Sequence, residues 1–131
     1  MLDGGKKFTE RETLQIARGI ADILLQLQTQ YSPPIIHRDI KPSNILLEPN
    51  GKDYKVYLTD FGAVYNPLLQ RGGSTIAGTY GYMSPEQLTG SVSPASDIYA
   101  LGVMLAELLS GISPADMDVT EFRLNIEKPL E

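Results

Sequence analysis

Cysteine is absent from this 131-residue chain, and histidine occurs only once. Without cysteine the chain can form neither disulfide bonds nor thiolate metal sites. Basic residues are also few, because 11 lysines and arginines stand against 16 acidic residues and give a net charge of -5. A nucleic-acid-binding domain needs a basic surface that replaces counterions, so we expect no nucleic acid among the partners.

The chain also lacks an apolar run long enough to cross a membrane. Its longest apolar stretch, residues 98–109, has about 12 residues and includes Glu107, whereas a spanning helix needs about 20. No apolar segment of the signal-peptide kind follows residues 1–7. We therefore expect no membrane span and a cytoplasmic location. Hydrophobic residues make up 42% of the chain, enough for the core of one globular domain.

Two stretches predict α-helices. Thr9 and Glu12 have the spacing of a capping box and predict a helix from about Glu10 to Gln30. An apolar stripe with helical spacing supports it, formed by Ile16, Ile20, Ile23, Leu24 and Leu27. A second helix is predicted from about Pro94 to Ser110, with Ser93 as its cap and Gly111 as its end. Because nearly all of its residues are apolar, we expect this helix to be buried on every side.

A β-hairpin is predicted between the two helices. Residues 45–47 and 55–59 have strand-forming composition, and residues 49–53 between them contain proline, asparagine and glycine. Asn44 directly precedes the first strand and Asp60 follows the second. Because antiparallel pairing brings the two outer ends of a hairpin together, we expect Asn44 and Asp60 to be neighbours.

Residues 37–44, with the sequence His-Arg-Asp-Ile-Lys-Pro-Ser-Asn, carry the groups with the clearest chemistry. Asp39 can orient a hydroxyl group and accept its proton. Lys41 is a compact cation suited to a phosphoryl oxygen, and Asn44 offers a neutral oxygen of the kind that Mg2+ accepts. Pro42 fixes its own φ angle and disfavours helix at the residue before it, so a shaped loop is expected. The stretch predicts a site for a phosphate and its metal ion.

This stretch resembles the catalytic loop of protein kinases, H-R-D-x-x-x-x-N, with the lysine that serine/threonine kinases have two residues after the aspartate. Three further segments resemble the family in the same order. Residues 60–62 match the metal-binding D-F-G motif, and residues 84–86 resemble A-P-E with serine in place of alanine. Residues 96–102 resemble the central helix of the kinase large lobe. The likeness covers about residues 9–111 and is interpreted as closest to bacterial serine/threonine kinases.

The resemblance implies an α+β, mainly α fold: a partial kinase-like C-terminal lobe, with helices around a small β-hairpin and the small lobe absent. The single domain, residues 1–131, would contain the catalytic loop 37–44, the D-F-G segment 60–62, the activation segment 60–86 and a buried central helix of about 94–110. Neither G-x-G-x-x-G nor V-A-I-K occurs in the chain. We therefore expect about half of a kinase domain, with the missing small lobe or an upstream segment as its partner.

The resemblance also implies the roles of the residues in the catalytic loop and the D-F-G segment. The cofactors would be ATP and Mg2+, with Mn2+ possible. Asp39 and Lys41 would be catalytic, and Lys41 would also contact the nucleotide phosphates. Asn44 and Asp60 would bind the metal and, through it, ATP. The single histidine, His37, would be structural, so Asp39 and not the histidine would be the base.

Further regulatory and structural roles follow from the same resemblance. Ser74 or Thr75 would be the regulatory phosphosite, and Arg38 would hold the phosphorylated segment. Thr79 would contact the catalytic aspartate and lysine, and Glu86 would pair with an arginine of the last helices of the lobe. Asp97 would brace the backbone of the catalytic loop; the alternative is an ordinary acidic residue favoured at a helix N-terminus.

The expected function is ATP- and Mg2+-dependent transfer of the γ-phosphate to serine or threonine hydroxyls of protein substrates, within a complete kinase domain. The chain alone is expected to be inactive. The alternative is a non-catalytic kinase-like interaction module or pseudokinase remnant, which an upstream glycine loop and lysine would argue against. A small-molecule kinase of related fold is a third possibility, but Lys41 and residues 78–86 suit a peptide hydroxyl better.

Overall fold

The computed structural model of the protein describes residues 8–61 and 78–114. In chain order these form helix α1 (Glu10–Thr29), a short 3-10 turn (Pro42–Asn44), strands β1 (Ile45–Asn50) and β2 (Asp53–Leu58), and helices α2 (Pro85–Leu88) and α3 (Pro94–Ser110). The expected fold class, helices around one small hairpin, is confirmed.

Helix α1 begins with the capping box that the sequence predicts. The backbone N–H of Glu12 donates to Thr9 Oγ1 at 3.1 Å, and the N–H of Thr9 donates to Glu12 Oε1 at 3.1 Å. Two of the N–H groups that every helix leaves open at its first turn are thereby satisfied. The face carrying Ile16, Ile20 and Leu24 is buried in the core. The apolar stripe of the sequence is therefore the stripe that packs.

The hairpin pairs β1 with β2 in antiparallel register, from Ile45 opposite Leu58 to Asn50 opposite Asp53. Gly51, with φ of +67°, supplies the left-handed residue of its two-residue turn. Both strands are longer than expected, and β1 includes Pro49. A proline is compatible with this strand because a two-stranded sheet consists of edges only, so the missing N–H need not pair.

Helix α3 is buried on one side and exposed on the other, which corrects the expectation of burial on every side. Met104 and Leu108 are fully buried, whereas Ile98 is 51% exposed and Gly102 also faces solvent. Among the described residues, α1 packs against α3, and the backbone of residues 37 and 38 contacts Asp97 in its first turn. Its end is as expected, because Gly111 is left-handed and its N–H donates to the carbonyl of Glu107 at 2.8 Å.

One core joins these elements and anchors the loop of residues 37–44. Ile40, in the middle of residues 37–44, is fully buried although its neighbours carry the polar groups of the loop. The side chains packed with it come from both long helices and both strands: Ile16, Ile20, Leu24, Ile45, Leu58, Met104 and Leu108. None of the described helices is long and apolar enough to cross a membrane.

Candidate active site

Asp39, Lys41 and Thr79 meet at one point. The hydroxyl of Thr79 donates to Asp39 Oδ1 at 2.7 Å and accepts from Lys41 Nζ at 2.6 Å. Lys41 Nζ also lies 3.7 Å from Asp39 Oδ2, within ion-pair distance. The carboxylate and the ammonium group come from the loop of residues 37–44, and Thr79 lies about 40 residues further along the chain. A carboxylate and an ammonium group therefore share one hydroxyl.

Asn44 is tied to the backbone of the same loop. Its Nδ2 donates to the carbonyl oxygen of Asp39 at 2.8 Å, and the side chain is buried. The backbone carbonyl oxygen of Asn44 accepts from the N–H of Thr59 at 2.8 Å and from Thr59 Oγ1 at 3.1 Å. Since the amide nitrogen is committed to Asp39, Oδ1 is the side-chain atom that suits a metal ion. The hairpin thus brings the segment before Asp60 beside Asn44, as its antiparallel pairing predicts.

Asp60 and Phe61 directly follow the end of the hairpin. Asp60 has a left-handed backbone, with φ of +59°, and is exposed. The ring of Phe61 lies edge-on to the buried ring of His37, with 4.8 Å between their centroids. His37 Nδ1 accepts from the N–H of Asp39 at 3.1 Å, so the ring hydrogen is on Nε2, which donates to the carbonyl of Thr59 at 2.9 Å. Both ring nitrogens are therefore engaged with backbone, and His37 has neither left for proton transfer.

Asp97 holds the backbone of the loop from α3. Its Oδ2 accepts from the N–H of His37 at 2.8 Å and its Oδ1 from the N–H of Arg38 at 2.9 Å. Burial raises the pKa of Asp97, and the two backbone hydrogen bonds and the nearby His37 act in the opposite direction. Arg38 has φ of +75°, an unfavourable conformation for a side-chain-bearing residue. Asp97 is thus a bidentate acceptor for two consecutive N–H groups, at the point where the loop is strained.

The donor chemistry fits a magnesium ion held by few protein ligands. Asn44 and Asp60 offer an amide and a carboxylate oxygen, both hard ligands, and Mg2+ keeps several waters and takes phosphate oxygens besides. Among residues 8–61 and 78–114, no group of three or more histidine, cysteine, aspartate or glutamate side chains could hold a metal ion. A closed, all-protein metal cage is therefore not what the described residues provide.

The remaining residues singled out in the sequence lie in different places. Ser74 and Thr75 lie outside the described residues. Glu86 is exposed on α2, which begins after Ser84. Arg38 is buried and directly precedes Asp39.

Three residues of this region were not singled out from the sequence. Gln87 is buried, and its Nε2 donates to the carbonyl of Arg38 at 2.9 Å. The hydroxyl of Tyr82 donates to Glu107 Oε1 on α3. Burial raises the pKa of the Tyr82 phenol, and its hydrogen bond to Glu107 and the charge of that residue raise it further. Glu107 could have been found, because it is the one charged residue in the apolar run 98–109 and a buried carboxylate requires a partner.

The described residues form a helical lobe with a hairpin. An aspartate and a lysine of one loop share a hydroxyl, and the asparagine that precedes the hairpin contacts the same loop. This is the arrangement of a kinase large lobe. Comparison with known families agrees. The family model described as "Protein kinase domain" matches residues 1–129. The chain belongs to the protein kinase family.

Its relatives include receptor-like and other plant kinases. It is 39% identical over 126 residues to the LRR receptor-like serine/threonine-protein kinase ER1 of Oryza sativa subsp. japonica, covering 94% of this chain and 13% of that protein. It is 40% identical over 131 residues to the probable serine/threonine-protein kinase PBL5 of Arabidopsis thaliana, covering 96% and 30%. It is 45% identical over 105 residues to the lectin-domain containing receptor kinase VI.3 of Arabidopsis thaliana, covering 78% and 15%.

Two consequences follow from these relatives. The expected closeness to bacterial kinases is not supported, because these relatives are plant proteins. The chain also spans between 13% and 30% of the length of the relatives named here, so activities of whole kinases come to it only as proposals.

Proposed function

We propose that this chain supplies the catalytic half of a kinase that transfers the γ-phosphate of ATP to serine or threonine hydroxyls of protein substrates. One observation carries the proposal: Asp39 and Lys41 together hold the hydroxyl of a threonine, Thr79, at 2.7 and 2.6 Å. The pair therefore has the spacing and charges needed to bind an aliphatic hydroxyl. A substrate hydroxyl has the same chemistry as that of Thr79.

Each residue of the site has a distinct part in this proposal. Asp39 would orient the acceptor hydroxyl and accept its proton as that oxygen bonds to the γ-phosphorus of ATP, while the bond from this phosphorus to the bridging oxygen breaks and ADP leaves. Lys41 stabilises negative charge on the phosphoryl oxygens. Asn44 and Asp60 would hold Mg2+, or Mn2+, which neutralises charge on the phosphates of ATP when bound. We also propose that the reaction takes place in the cytoplasm, where ATP is available.

The 131-residue chain by itself should be inactive in this reaction. Phosphoryl transfer depends on positioning and charge neutralisation more than on covalent help from the protein. The chain contains no G-x-G-x-x-G loop and no V-A-I-K lysine to enclose and grip the phosphates. ATP on the described half-site would remain exposed to water, which weakens the electrostatic contacts that the reaction needs.

The experiment is transfer of labelled phosphate from Mg-ATP to a generic basic protein. Four proteins are compared: the purified chain, its Asp39→Asn variant, the same chain extended upstream by a kinase small lobe, and the extended chain with Asp39→Asn. Asp22→Asn, at an exposed position on α1, is the matched control. We expect transfer only from the extended chain and its Asp22→Asn variant. Transfer by the 131-residue chain that depends on Asp39 would refute the half-site argument, and an extended chain that binds Mg-ATP without transferring phosphate would favour a non-catalytic module.

Regulation by the activation segment is a separate part of the proposal. Ser74 or Thr75 lies between Asp60 and Glu86, and a phosphate there would bring about -1.5 to -2 charges that Arg38 could hold. Phosphopeptide mapping of the active, complete kinase tests this. Phosphate confined to other segments, or full activity after changing both Ser74 and Thr75 to alanine, would contradict it.

A further inference from the structure

We propose that Gln87 is a positioning residue, which orients the catalytic aspartate through the peptide unit between Arg38 and Asp39. Gln87 lies on α2 and only 2% of it is exposed. Its Nε2 donates to the carbonyl oxygen of Arg38 at 2.9 Å, across 49 positions of sequence. A buried side-chain amide aimed at the backbone next to Asp39 is a contact with the catalytic loop and not with the core.

The bonded carbonyl belongs to the same planar unit as the N–H of Asp39. That N–H donates to His37 Nδ1 at 3.1 Å, so both polar ends of the unit are held, one by Gln87 and one by His37. A peptide plane held at both ends cannot rotate freely about its neighbouring bonds. The direction in which the side chain of Asp39 leaves the backbone is thereby fixed.

Arg38 needs such support because its backbone is left-handed, with φ of +75°. For a residue with a side chain this conformation costs on the order of 1–2 kcal/mol and persists only where the surroundings determine it. Asp97 on α3 holds the N–H of Arg38, and Gln87 on α2 holds its carbonyl. The two helices therefore hold the N–H and the carbonyl of Arg38 in its left-handed conformation.

Gly78 provides the space for this hydrogen bond. A Cβ atom at Gly78 would lie 2.6 Å from the carbonyl oxygen of Arg38 and 2.8 Å from Gln87 Nε2, and its φ of +122° disfavours any side chain. The next residue, Thr79, supplies the hydroxyl that Asp39 and Lys41 share. Gln87 thus acts where the segment carrying Thr79 crosses the catalytic loop. That this geometry serves catalysis rests on the proposed function.

The test is site-resolved hydrogen exchange of the 131-residue chain by NMR, without nucleotide. Gln87→Met removes the amide and keeps a side chain of similar length, and Gln26→Met at an exposed position of α1 is the matched control. In Gln87→Met we expect exchange of the Asp39 amide to accelerate about tenfold relative to the Ile20 amide in the core, as expected when one hydrogen bond is lost. The control should leave the ratio unchanged.

A residue that only stabilised the fold would change exchange at Asp39 and Ile20 by the same factor, and that result, or no change at all, would overturn the proposal. If Gln87→Met does not fold, the through-hydrogen-bond coupling between Gln87 Nε2 and the carbonyl carbon of Arg38 is measured in the unaltered chain, and its absence would overturn the proposal equally. Neither measurement involves ATP. A failure of the phosphate-transfer assay would therefore not contradict the role of Gln87, and unchanged hydrogen exchange in Gln87→Met would not contradict the proposed kinase function.

Discussion

Replacing Asp97 with asparagine should lower the free energy of unfolding by about 2–3 kcal/mol. The carboxylate accepts two backbone N–H groups, from His37 at 2.8 Å and Arg38 at 2.9 Å, and is 2% exposed. A hydrogen bond to a charged group contributes about 1.5–3 kcal/mol and a neutral one about 1 kcal/mol. The side chain of asparagine keeps one oxygen, now uncharged, which can accept from one of these N–H groups. Its NH2 group faces the other N–H, and two donors cannot form a hydrogen bond. Burial, which raises the pKa of Asp97, offsets part of the original gain and sets the estimate at the lower end.

Urea denaturation followed by circular dichroism measures this loss against a typical total stability of about 5–15 kcal/mol. Asp22→Asn is the control, because Asp22 is exposed on α1 and such surface changes usually stay within about 0.5 kcal/mol. A value for Asp97→Asn as small as that of the control would show that Asp97 is an ordinary helix N-terminal acid. The two hydrogen bonds from residues 37 and 38 to Asp97 would then contribute little to stability.

Two further predictions concern packing and pH. Because the pKa of Tyr82 is raised in the folded state, that state binds the phenolic proton more tightly than the unfolded chain does. The free energy of unfolding should therefore fall as pH rises above about 10, by at most about 1.4 kcal/mol per pH unit. The fall in the urea midpoint between pH 8 and pH 10.5 should be smaller in Tyr82→Phe than in the unaltered chain. Equal falls in both proteins would contradict this. Gly19→Ala should destabilise the chain by about 1–3 kcal/mol, because the new Cβ would lie 2.6 Å from Val56 Cβ. The control is Gly102→Ala, whose new Cβ meets no atom within 4 Å, so this change in α3 should stabilise the chain by about 0.5–1 kcal/mol. Thermal melts decide between these signs, and a stabilising Gly19→Ala would show that the close approach of α1 to β2 can relax.

The features that could be predicted from the sequence are those that short stretches determine. The Thr9 and Glu12 capping box and the Gly111 end each depend on a few neighbouring residues whose side-chain chemistry or backbone freedom is specific. The hairpin is of the same kind, since the turn around Gly51 settles its register. Once the hairpin is given, the nearness of Asn44 to the end of β2 follows from antiparallel pairing alone.

The features that could not be predicted depend on contacts between distant segments. Gln87 donates to the carbonyl of Arg38, which is 49 positions away in the sequence. No sequence pattern around a glutamine in a four-residue helix predicts such a contact. The exposed face of α3 was missed for a related reason: Ile98 and Met104 are equally apolar, and only the packing partners decide which side is covered. Hydrophobicity sets what can be buried, and tertiary contacts set what is buried.

Contacts within the described part of the chain hold residues 37–44 in place without a nucleotide. Ile40 anchors this loop in the core, and Asp97 on α3 accepts from the N–H groups of His37 and Arg38. Gln87 on α2 donates to the carbonyl of Arg38, and the carbonyl of Asn44 accepts from Thr59 at the end of the hairpin. Since these contacts all lie within residues 8–61 and 78–114, we expect a small lobe added upstream to leave the backbone around Asp39 unchanged. On that argument, a small lobe supplied upstream should restore phosphate transfer without altering the hydrogen exchange of the Asp39 amide.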